Sequence, residues 1–110
     1  MSETHAILLK IENVRDLVNS PDKENVLFGL TLLKGEDWYK RFIASCQDED
    51  ITCPGFYRMK DIDKKIDSLL SREFSTFSLL WDDREDSYLK RPILLLLNKV
   101  TIFYQEKQII

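Results

Sequence analysis

The sequence predicts a mainly α, compact single-domain bundle of about five helices, and three observations carry that prediction. Apolar residues recur three and four positions apart along most of the chain. Glycine and proline number only three each, too few for the many tight turns of a sandwich or barrel. At 110 residues, with 44% hydrophobic and 32% charged content, the chain can bury a core of its own and needs neither disulfides nor metal to hold it. The span 1–110 is therefore read as one domain, with the polar, acidic stretch Met1–His5 expected to fray.

The first helix is expected from about Ala6 to Asn19. Ile7, Ile11, Val14 and Val18 keep helical spacing there, with Leu17 beside them and Glu12 and Asp16 on the opposite side. Ser20-Pro21 ends it and opens the second helix, which runs to Lys34. Ser20 can act as N-cap, Pro21 suits the first helical position, and Gly35 can form a left-handed C-cap. Val26, Leu30 and Leu33 form one stripe, while Phe28 and Leu32 lie on nearly the opposite side, so this helix is expected at the centre of the fold. Gly29 is costly inside a helix, by about 1 kcal/mol relative to alanine, and a close helix neighbour would explain it.

A third helix is expected from about Asp37 to Cys46, with Trp38, Tyr39, Phe42, Ile43 and Cys46 on one face. The segment Gln47–Tyr57 reads as a loop. A narrow amphipathic helix follows from about Lys60 to Arg72, with the stripe Met59, Ile62, Ile66, Leu69 and Leu70. Beyond Phe74 two readings stand. A last helix from near Pro92 would align Ile93, Leu96, Leu97, Val100, Phe103 and Tyr104. Alternatively the fold is α+β, with a small C-terminal sheet from about 76–81 and 99–104. Phe77, Leu79 and Trp81 alternate, and Val100–Tyr104 is rich in β-branched and aromatic residues.

Within residues 13–35, Leu17, Ser20, Asp22, Glu24, Asn25, Gly29, Leu32 and Leu33 resemble a helical-hairpin segment of bacterial proteins associated with leucine-rich repeats. The resemblance implies a bacterial origin and a HEAT-like pair of helices used as a binding scaffold. It implies no activity, and no leucine-rich repeat follows.

Charge and composition narrow the function. A net charge of −3 argues against a nucleic-acid partner, whose affinity rests on lysine and arginine neutralising phosphates. The longest apolar run, Ile93–Leu97, is five residues against the roughly 20 that a membrane span needs. Cys46 and Cys53 match no zinc spacing, and both suit a reducing cytoplasm. His5 is the only histidine, and three separate glycines build no phosphate loop, so no catalytic residue and no cofactor is assigned. The basic residues Arg58, Lys60, Lys64 and Lys65 are interleaved with Asp61, Asp63 and Asp67 and read as a solvated helix face.

The remaining candidate is Trp81-Asp82-Asp83-Arg84-Glu85-Asp86. Its four carboxylates form a solvated turn or a partner-binding patch, with Trp81 either an anchor or core. A divalent-cation site is the third reading, and the spacing is not that of an EF-hand loop. The expected function is a non-enzymatic, cytoplasmic protein–protein interaction domain, in one form an acidic immunity or antitoxin-type inhibitor. Trp81, Asp82, Asp83, Glu85 and Asp86 would meet the other protein. Two alternatives are a helical scaffold or regulatory fragment, and a carboxylate-based metal-dependent enzyme.

Overall fold

The computed structural model describes residues 2–46, 51, 52, 57–84 and 87–108. The chain is mainly α. Among the described residues there are six helices: α1 (Glu3–Val18), α2 (Lys23–Gly35), α3 (Asp37–Ser45), α4 (Met59–Leu70), α5 (Phe74–Leu80) and α6 (Lys90–Gln108). The one departure is a pair of two-residue strands, β1 (Ile51–Thr52) and β2 (Tyr57–Arg58). They join antiparallel across Ile51 and Arg58 within the segment read as a loop.

Helix α1 starts at Glu3 rather than Ala6, because Ser2 caps it: the Ser2 Oγ accepts the His5 N–H at 3.0 Å. Residues expected to fray thus supply the cap and first turn. At α2 the cap is Asp22, not Ser20; its carboxylate accepts the Glu24 N–H at 2.9 Å. Ser20 braces the turn instead, its hydroxyl accepting from the Asp22 N–H and the Asn25 side chain. Gly35 is the last helical residue and makes no left-handed cap, its own φ lying outside the left-handed region, and Glu36 follows as an extended C-cap.

The hairpin α1–α2 is held at close range. A Cβ on Gly29 would lie 2.7 Å from the Leu17 Cβ and 3.5 Å from the Val14 carbonyl oxygen. Helix α1 packs between α2 and α6, and α2 in turn meets α1, α3 and α4. Helix α2 is buried on one side, through Val26, Leu30 and Leu33, and Phe28 is 57% exposed on the other. The Arg15 guanidinium ties α1 to α6, donating to the Asn98 and Thr101 side-chain oxygens at 3.0 and 3.2 Å.

The C-terminal sheet is overturned: 76–81 lies in and just after α5, and 99–104 lies inside α6. Phe77 and Trp81 are four apart, both buried and stacked at 5.8 Å, while Leu79 between them is 88% exposed. A strand would put all three on one side; a helix turns Leu79 away. Val100 and Tyr104 are likewise buried four apart, with Ile102 facing out. The Tyr104 hydroxyl donates to the Trp38 carbonyl at 2.7 Å and fixes α6 to α3.

A polar clamp joins α2, α3 and α4. Asp63 accepts from Lys34 at 2.7 Å and from the Tyr39 hydroxyl at 2.6 Å, and Lys34 also reaches Asp67 at 2.9 Å. Burial alone would lower the Lys34 pKa, but its hydrogen bonds to Asp63 and Asp67 outweigh that and hold it above its ordinary value. Burial, reinforced by the Asp63 carboxylate, pushes the Tyr39 phenol far up, so it stays protonated. No described helix is long and apolar enough to cross a membrane.

Candidate functional site

The connection from α5 to α6 is built by short-range hydrogen bonds. Trp81 closes α5, its N–H donating to the Phe77 carbonyl at 2.9 Å. Asp82 then accepts the Arg84 backbone N–H at 3.1 Å and the Arg84 guanidinium at 2.6 and 2.9 Å. That guanidinium holds the Asp82 carboxyl below the usual carboxylate range. Ser87 opens α6, its hydroxyl accepting the Lys90 N–H at 3.1 Å. Lys90 turns back, with its side chain only 5% exposed, and donates to the Asp83 carbonyl at 3.0 Å beside the Asp83 carboxylate at 3.5 Å.

This connection and the outer part of α4 enclose an open groove of about 590 Å³. Leu69, Leu80 and Leu89 give it an apolar lining, and Lys65 of α4, Arg72 just beyond the end of α4 and Arg84 line it with cations. Asp82 lines it too, already held by Arg84. Tyr88, 72% exposed, lies under the Lys65 ammonium, which sits 4.2 Å from the ring centroid. Leu79 projects next to Leu80 in sequence and, with Phe74, extends the exposed apolar surface of α5.

The residues singled out by sequence are separated by the fold. Trp81 is core, 2% exposed, stacked on Phe77, and its indole N–H is buried without a hydrogen-bond partner. Asp82 lines the groove, and Asp83 faces Lys90 at the surface. Glu85 and Asp86 lie outside the described residues, as does Cys53. Cys46 is buried, its thiol donating to the Phe42 carbonyl at 3.4 Å. Among the described residues no three histidine, cysteine or carboxylate side chains are grouped to hold a metal ion.

Sequence reasoning read Lys65 as part of a solvated helix face and did not single out Arg72, Leu80, Tyr88 or Leu89. Lys65 and Leu69 stand four apart, so one side of α4 was available to find. What it could not show is that Leu80, Tyr88 and Leu89 come to lie against that side. No family model, curated protein or solved structure matches the chain.

Proposed function

We propose that the chain is a non-enzymatic, cytoplasmic protein–protein interaction domain and that it docks its partner along the groove between α4 and the α5–α6 connection. The observation that carries the reading is the apolar surface at that place. Leu79 and Tyr88 are the two most exposed large apolar side chains among the described residues, at 88% and 72%, and Tyr88 lines an apolar groove. Large side chains exposed next to a concavity with charged walls have the composition of an interface: an apolar centre and a polar rim. A buried, hydrogen-bonded thiol at Cys46 is consistent with a reducing compartment.

The immunity-type form of this reading needs an acidic surface to cover a basic one. It draws support from the net charge of −3 rather than from Asp82 and Asp83, whose carboxylates already meet Arg84 and Lys90.

The test is site-specific photo-cross-linking in the native host. A photoreactive residue at Leu79 should give one discrete adduct, which fades when Leu80→Asp is added. The same residue at the exposed Glu12, on α1, should not give it. Identical adducts at both positions, or none at Leu79, would remove the proposal.

A further inference from the structure

We infer that residues 73–81, which carry α5, form a flap that leaves the core as a unit while the other described helices stay folded, opening one wall of the groove. The inference concerns a motion of the chain itself and holds whether or not a partner uses the groove.

The flap is lightly held. Helix α5 is seven residues long, too short to be stable without its surroundings, and Glu73 gives it no side-chain cap. Phe77 is its one buried residue, while Phe74, Leu79 and Leu80 are 41%, 88% and 44% exposed. The other described helices each pack along at least one neighbour, whereas α5 meets its neighbours at isolated points. Its aromatic contacts are internal: Phe77 lies 6.4 Å from Phe74 and 5.8 Å from Trp81. That row travels with the flap. Elsewhere aromatic pairs such as Trp38–Tyr104 and Phe42–Phe103 join different helices.

Two groups set the balance between closed and open. The Trp81 indole N–H is buried and meets no acceptor among the described residues. An unpaired buried donor raises the energy of the closed form, and opening returns it to water. Against this, Lys23 of α2 donates to the Ser78 carbonyl at 2.5 Å. That carbonyl is among the last four of α5, which lack helical partners, so Lys23 latches the C-terminal end with a favourable cation.

Both flanks are closed by hydrogen bonds of their own. The Ser71 N–H donates to the Asp67 carbonyl at 3.0 Å and the Arg72 N–H to the Leu69 carbonyl at 3.3 Å, so α4 ends without help from α5. On the far side Asp82 accepts the Arg84 N–H at 3.1 Å, and Lys90 holds the Asp83 carbonyl at 3.0 Å. A segment fixed at both ends and thinly packed between them opens locally, more readily than the whole molecule unfolds. Leu80 lines the groove, so this opening removes part of its wall.

Hydrogen exchange of the intact chain, followed by NMR at low urea concentrations, tests this. The Phe77 and Trp81 amides donate to the Glu73 and Phe77 carbonyls. Relative to their rates in an unfolded chain, these two protons and the Trp81 indole proton should share one opening. They should exchange about a hundredfold faster than the helical amides of the buried Leu30 and Leu97. The opening bares little surface and so responds weakly to urea; global unfolding overtakes it, and both tryptophans still follow one denaturation curve. Lys23→Met should speed the three protons by about tenfold and leave Leu30 and Leu97 unmoved. Lys23 is the first residue of α2, where a cation is disfavoured, so its loss does not weaken that helix. The inference falls if the three protons match Leu30 and Leu97 in rate and urea dependence. It also falls if the amides are fast but the indole proton is slow, which is fraying of α5 around a fixed Trp81. An unchanged rate in Lys23→Met, or an equal rise at Leu30 and Leu97, would overturn it as well.

Discussion

Gly29 sets the distance between α1 and α2. Alanine there would gain about 1 kcal/mol of helix propensity, yet its methyl would sit 2.7 Å from the Leu17 Cβ. That atom is fixed to the backbone of α1 and has no rotamer by which to retreat, so the helices must part. Overpacking of this kind costs about 1–3 kcal/mol and acts on contacts well beyond the site. Gly29→Ala should therefore lower the stability by about 1–2 kcal/mol in urea unfolding, and an unchanged or raised midpoint would show that the helices yield easily. The close approach is legible in the sequence because a glycine inside a helix needs a reason. The cap of α2 is less so, since Ser20 and Asp22 are equally good acceptors and only the turn geometry chooses Asp22.

Three helices meet at Asp63, and the clamp there has a pH signature. The Lys34 pKa is raised from 10.5 and the Tyr39 pKa from 10.0, so both groups bind protons more tightly folded than unfolded. Their contribution is fully present below pH 10 and is lost as the pH rises beyond it, first through the phenol of the unfolded chain. Stability followed by denaturant unfolding between pH 9 and 11.5 should fall with pH, and Tyr39→Phe should flatten that fall. A fall equally steep in the variant would place its origin elsewhere. Elements differ in how plainly the sequence declares them. Helices α1 to α4 have long stripes, and their ends fall within three residues of the pattern. Helix α5 is seven residues long, and over so short a run Phe77, Leu79 and Trp81 fit a period of two as well as Phe77 and Trp81 fit a helix. Lys65 and Leu69 pose the converse problem: their side of α4 is readable, but the groove exists only once Leu80 and Leu89 are folded against it.

At the scale of the whole molecule, one cluster of buried side chains runs through all six helices, from Ile7 of α1 to Tyr104 of α6. A shared core of that kind couples the helices, and the two tryptophans report on distant parts of it, Trp38 in α3 and Trp81 after α5. In single-tryptophan variants, the fluorescence transitions of Trp38 and Trp81 should superimpose on the loss of helical circular dichroism. Separated midpoints would mean that α5 and its surroundings melt on their own.

The bridge from Arg15 to Asn98 and Thr101 also has a bearing on how the protein is made. Its two sides are 83 and 86 residues apart, so the flank of α1 that meets α6 has no cover until α6 has left the ribosome. At roughly 5–20 residues per second, that interval is on the order of ten seconds. During it the nascent hairpin presents an oily strip to whatever is nearby, which makes chains that still lack α6 the species that would need a chaperone.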